Sequence, residues 1–156
     1  LELGLPFSDP LADGKTIQDS ANRALNAGAT TEKCLEVVAS IREKFPDKPI
    51  GLLVYFNLIL SFQNKPYKEA IKSFFQYVKK SGVDSILIPE LPIEEVKIVE
   101  ESAKKEAIDL IFLVSTNTPE HRVQQILAKS SGFLYAVATP GITGAKTEIA
   151  SETIAM

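Results

Sequence analysis

A chain of 156 residues, 45% hydrophobic and 24% charged, has the makeup of one ordinary globular domain able to bury a real core. A net charge of −3 gives no basis for binding nucleic acid or an anionic membrane surface, and no apolar run is long enough to cross a bilayer. With Cys34 the only cysteine and His121 the only histidine, an internal disulfide and a cysteine-rich or multi-histidine metal site are excluded. A histidine-dependent catalytic triad is disfavoured for the same reason, and a metal-free, cytoplasmic protein is expected.

The chain opens on "LELGLPFSDPLADG", in which Leu1–Leu5 reads as an apolar strand followed by a loop carrying Asp9 and Asp13. Glu2 interrupts that strand, and a carboxylate in a buried strand is costly unless something pairs with it or uses it. Thr30 can cap a helix over "TEKCLEVVASIREKF", with Leu35, Val38 and Ile41 at helical spacing and Glu32 favouring its first turn. The run Ile50–Tyr55 is the second candidate strand. Pro66 suits the start of "PYKEAIKSFFQYVKKSG", where Ala70, Ile71, Phe74, Phe75 and Val78 form one apolar face and Gly82 ends the helix. Ser85–Ile88 is the third strand, and Pro92 opens a helix with Val96, Val99 and Ala103 in phase. Leu110–Val114 follows, then a helix from Thr118 and Pro119 closing at Gly132, then Phe133–Val137. The chain starts inside an apolar run without a methionine and stops inside "TEIASETIAM", so a piece of a longer protein is expected.

Short aliphatic strands alternating with amphipathic helices predict a parallel sheet covered by helices. From the third strand on, strand starts recur roughly every 25 residues, which suits βα units with short loops. A doubly wound open sheet and an arc of a (β/α)8 barrel both fit. Neither G-x-G-x-x-G nor a P-loop is present, so nucleotide binding lacks its usual support. Glu2, Tyr55, Glu90 and Tyr135 lie on or just after strands, which favours a barrel, where chemistry gathers at the C-terminal ends of several strands. If Leu1 and Leu3 pack against helices, alternation turns Glu2 toward the barrel centre. There it would be shielded from water, and desolvation would raise its pKa toward general acid–base use.

The stretch "LELGLPFSDPLADGKTIQ" resembles the signature of the tryptophan synthase alpha subunit family, E-L-G-x-P-[FY]-S-D-P-x-A-D-G-P-x-I-Q. "PIGLLVYFNLIL", "GVDSILIPELPIEE" and "GFLYAVATPGITGAKT" resemble, in order, the family's third strand with its Y-x-N turn, its fourth strand with its D-x-P-x-E-E turn, and its sixth strand with its G-V-T-G loop. The resemblance covers essentially the whole chain. It implies a TIM barrel, here a partial one of about five parallel strands: residues 1–156 as a single incomplete domain without the first, seventh and eighth strands.

The activity the resemblance implies is that of a lyase of tryptophan biosynthesis. It performs retro-aldol cleavage of indole-3-glycerol phosphate to indole and glyceraldehyde 3-phosphate. The family's strand-borne catalytic glutamate matches Glu2, and its loop aspartate, which accepts the indole N–H, matches Asp13. By the same resemblance Leu53, Tyr55, Leu87, Leu113 and Tyr135 would line the indole site, and Thr143 and Gly144 would belong to the loop closing over substrate, with Gly144 near the phosphate. No cofactor is expected in this chain. Pyridoxal phosphate would belong to a beta subunit, the partner in a heterotetramer. A stand-alone lyase, or a silent relative serving a beta subunit as an allosteric module, are the alternatives. Retention of Glu2 and Asp13 argues against the second of these, and the proline-rich loop surface favours the partnered form over the first.

Some residues have plainer readings. Asp9 suits a turn beside Pro10, His121 a solvated helix surface, Glu94–Glu95 a first helical turn, and Cys34 small apolar packing. Lys15 stands where the family usually has proline, and Glu90 where it has aspartate, so loop closure and the hydrogen bonding of that turn are expected to differ.

Overall fold

The computed structural model describes residues 1–137. Thr143, Gly144 and the segment "GITGAKTEIA", expected to be the least ordered, lie outside the described residues. Among the described residues the strands are β1 (Glu2–Gly4), β2 (Gly51–Leu53), β3 (Ser85–Leu87), β4 (Asp109–Ser115) and β5 (Leu134–Val137). They pair in the order β1-β2-β3-β4-β5, each neighbouring pair parallel. This is the sequential order of a barrel arc, not the reordered sheet of a doubly wound fold.

The helices that connect the strands bury one face each. In α2 (Thr31–Lys44) Leu35 and Val38 are buried, and the Thr30 side chain accepts the Lys33 amide proton, the cap expected from sequence. In α4 (Tyr67–Lys80) Ala70, Ile71, Phe74, Phe75 and Val78 are all buried. α5 (Lys97–Lys105) buries Val99 and Ala103, and α6 (Glu120–Leu127) buries Ile126. Against these faces lie Leu52, Val54, Ile86, Ile88 and Leu110 from one side of the sheet, with Leu3 and Cys34 packed at the margin. Phe74, Phe75, Leu52 and Ile86 have almost no exposed surface. Burying such side chains contributes roughly 1.5–3 kcal/mol each, so the helix-facing side of the sheet is where stability is concentrated.

Several boundaries differ from the sequence expectation. Two helices were not anticipated, α1 (Lys15–Asn26) and α3 (Phe56–Leu60). α1 buries no residue fully; its half-buried positions mix Gln18 and Asp19 with Ala21, Ala24 and Leu25. α3 is a single short turn placed by the chain leaving β2. The helix expected from Pro92 begins as a 3-10 turn over Ile93–Glu95 before α5, and α6 stops at Leu127, short of Gly132. Leu1 is exposed rather than packed on helices.

Candidate active site

Cross-strand register fixes which side chains share the face turned away from the helices. Glu2 pairs with Gly51 and Gly51 with Ser85, while Gly4, Leu53, Leu87 and Ile111 form the next row. Leu113 pairs with Tyr135 farther along. Because side chains alternate along a strand, these residues lie opposite to the helix-packed Leu52, Ile86 and Leu110. The two edges of the sheet meet across this face. One cleft of about 430 Å³ is lined jointly by Glu2, Leu53 and Tyr135, together with Phe7, Asp13 and residues of α1. A second, of about 190 Å³, runs beneath it from Leu1 and Glu2 to Leu87, Ile111 and Phe133. The sheet is therefore curled, with its concave side open. Gly51 makes room for Ser85: a Cβ there would come within 2.9 Å of the Ser85 hydroxyl oxygen.

Glu2 is the first residue of β1, not near its C-terminal end, and it is exposed. The shielding expected from sequence is not present. β1 is hydrogen-bonded to β2 alone among the described strands, so none of the described strands covers Glu2 from its other side.

Asp13 has the opposite setting. It lies in the loop between β1 and α1, yet is only 8% exposed. Tyr55, two residues beyond β2 and 3% exposed, donates its hydroxyl proton to Asp13 Oδ2 at 3.0 Å. The same hydroxyl oxygen accepts the Ala12 amide proton at 3.0 Å. From the first turn of α1, Gln18 Nε2 donates to the Asp13 carbonyl at 2.8 Å. The Tyr55 ring stacks on Phe7 with centroids 5.2 Å apart and planes inclined by 26°. Burial above all pushes the Tyr55 phenol up to about 12; the Ala12 amide pulls it down, and the Asp13 carboxylate and Glu90 add to the rise. Glu90, beyond β3, accepts the Phe56 amide proton at the start of α3. Its side chain thus reaches across to the N-terminus of α3.

The residues proposed from sequence fall into distinct places. Glu2, Asp13, Leu53 and Tyr135 line the larger cleft. Leu87 lines the smaller one, Leu113 stands beside Tyr135 in register, and Tyr55 lies behind Asp13 and Phe7, outside the lining of either cleft. Lys15 is the first residue of α1, where it pairs with Asp19 at 3.2 Å. His121 is exposed, and Glu94 pairs with Arg122. Phe7 and Gln18 were missed by sequence reasoning. Phe7 could have been suspected from its place among Pro6, Ser8 and Pro10, but Gln18 carries no signal until α1 is known.

The comparisons agree with this geometry. The sequence matches the family profile described as "Tryptophan synthase alpha chain" over residues 1–156. The chain belongs to this family. It is 44% identical over 153 residues to the tryptophan synthase alpha chain of Methanocaldococcus jannaschii, covering 98% of this chain and 52% of that relative. Among solved structures, it resembles the tryptophan synthase complex of Pyrococcus furiosus with TM-score 0.77 at 40% identity, covering 86% of this chain and 53% of that one. The alpha subunit of Legionella pneumophila str. Paris superposes with TM-score 0.78 at 32% identity, covering 88% and 50%. The chain spans about half the length of the curated relatives it matches. Its curled, sequentially ordered parallel sheet is an arc of the family's TIM barrel, and Glu2 and Asp13 come from the signature stretch at its edge.

Proposed function

We propose that the protein carrying this chain cleaves indole-3-glycerol phosphate to indole and glyceraldehyde 3-phosphate, as a lyase of tryptophan biosynthesis. The observation that carries the proposal is the meeting of two carboxylates, Glu2 and Asp13, in one cleft with apolar and aromatic walls from Leu53, Phe7 and Tyr135. A flat apolar ring with one polar N–H suits such a cleft, in which most of the wall excludes water and few polar groups orient the ligand.

In the reaction a proton is added at indole C3 and one is removed from the glycerol hydroxyl on the adjoining carbon. The carbon–carbon bond breaks, its electrons returning to the ring as the hydroxyl carbon becomes the aldehyde. The proton added at C3 stays in the indole product and balances the one taken from the hydroxyl, so no net proton is consumed. A single carboxyl group at Glu2, cycling between acid and carboxylate, serves these transfers. Asp13 accepts the indole N–H as positive charge develops in the ring, an interaction stronger in the transition state than in the ground state. A beta subunit is the proposed partner, in line with the complex from Pyrococcus furiosus among the similar structures.

The test is steady-state cleavage by the full-length protein. Glu2→Gln keeps shape and hydrogen bonding but cannot cycle a proton, so kcat should fall by on the order of 10²–10⁴ with substrate affinity retained. Asp13→Asn should lose on the order of 10². A Glu2→Gln variant that turns over normally would sink the acid–base assignment. A rate that rises on adding beta subunit supports the partnered form, and one indifferent to it the stand-alone lyase.

A further inference from the structure

We infer that Tyr55 is a positioning residue, which holds the Asp13 carboxylate in its working orientation without touching the substrate. The inference rests on the proposed role of Asp13. Sequence reasoning put Tyr55 in the wall of the indole site, on the strength of resemblance. The geometry assigns it elsewhere. Its ring is buried behind Phe7, and its hydroxyl is used twice, once toward the Ala12 amide and once toward Asp13 Oδ2. Phe7 and Asp13 line the larger cleft, whereas Tyr55 does not.

The arrangement solves a problem that the loop poses. Asp13 belongs to no strand or helix, and a carboxylate on an irregular loop would sample several rotamers. Tyr55 stands just beyond β2, so it brings the rigidity of the sheet to that loop. One hydroxyl ties down both the carboxylate and the peptide just before it, which fixes the side-chain torsion and the local backbone together. Gln18 fastens the carbonyl on the other side of the same residue, from the first turn of α1. The phenol stays protonated at any working pH, so its proton is always available to Asp13. A preorganised acceptor matters because its orientation need not be found at the moment charge develops.

The substitution that isolates this role is Tyr55→Phe in the full-length protein, since it keeps the ring and its stack on Phe7 and removes only the hydroxyl. A displaced supporting group of this kind costs about tenfold to a hundredfold in rate. The expected result is that loss in kcat with KM changed less than about twofold. Hydrogen exchange at the Ala12 amide should also accelerate, because its acceptor is gone. In an Asp13→Asn background, the same substitution should cost little further, because both changes act through one carboxylate. Wild-type kcat in Tyr55→Phe, a raised KM with kcat preserved, or full additivity with Asp13→Asn would each overturn the inference while the functional reading stood. A wild-type protein without lyase turnover would overturn both, and unchanged exchange at Ala12 would overturn the geometry on which the positioning role is built.

Discussion

Replacing Arg42 by alanine should destabilise the protein without slowing its chemistry. Arg42 projects from α2 beneath the sheet. Its Nε and Nη2 donate to the Gly82 carbonyl at 2.9 and 2.6 Å, and Nη2 also reaches Asp84 Oδ2 at 2.6 Å. Nη1 donates to the carbonyls of Pro46 and Lys48 at 2.6 and 2.8 Å. Asp84 in turn accepts the Ile50 amide proton at 2.8 Å. One guanidinium thus ties the end of α2, the turn into β2 and the turn into β3. Hydrogen bonds to charged groups contribute about 1.5–3 kcal/mol each, while ion pairs near the surface contribute about 1 kcal/mol or less. The Asp84 side chain is 48% exposed and that of Arg42 22%, so water would replace several of the lost partners. The net cost is about 2–3 kcal/mol. In urea unfolding of the full-length protein this appears as a lower midpoint at unchanged slope. Arg42→Lys should recover only part, because an ammonium cannot reproduce the fork. The network lies at the N-terminal ends of the strands, the face of a barrel that serves stability, so kcat should be unaltered. A loss below about 0.5 kcal/mol in Arg42→Ala, or a kcat that falls with stability intact, would refute this reasoning.

Gly82→Ala should be destabilising by more than about 1 kcal/mol, since Gly82 has φ +86° and an added Cβ would lie 2.5 Å from Arg42 Cγ. Combined with Arg42→Ala its effect should be less than additive, as equilibrium unfolding of the double variant would show. Acid should weaken the tie between α5 and the turn that follows α6, where Lys129 lies. Hydrogen bonds from Lys104 and then Lys129 hold the Glu100 carboxyl below its ordinary value of 4.5. A carboxyl depressed in the folded state adds stability above that ordinary value and loses it as pH falls through the lowered one. Glu100→Gln should therefore flatten the decline of melting temperature below pH 4.5, and an unchanged slope would contradict it.

The helices α2 and α4 were legible in sequence because each carries a large apolar stripe and a start signal, Thr30 and Pro66, that the structure uses. The parallel β–α alternation was legible in short aliphatic runs separated by helices, but those runs suited a doubly wound sheet equally; the sequential strand order came from the polar residues at strand ends and the resemblance to the family. α1 was not anticipated: it follows the loop without a side-chain cap or an acidic first turn, and its half-buried positions include Gln18 and Asp19. The rest of the shortfall concerns environment. Alternation correctly turned Glu2 away from Leu3, but it could not give the solvent exposure of Glu2, which depends on what stands beside β1. Tyr55 shows a further gap: its spacing beyond β2 puts it near the site, yet only the loop's path shows that its hydroxyl points at Asp13.

The two carboxylates therefore depend on different parts of the barrel. Everything that orients Asp13 lies between Phe7 and Tyr55: the stacked ring, the phenol, the Ala12 amide and Gln18. Glu2 has no such support among the described residues; its carboxyl is exposed on the concave side, opposite the packed core. An acid–base group works best when its surroundings bring its pKa toward the operating pH, whereas a hydrogen-bond acceptor for a developing cation needs fixed direction above all. Direction can be set by a few neighbours on one β–α unit. Desolvation needs a wall on every side. On the roles proposed above, the neighbours of Asp13 fix the direction of an acceptor, whereas Glu2 lacks, among the described residues, the walls that would desolvate an acid.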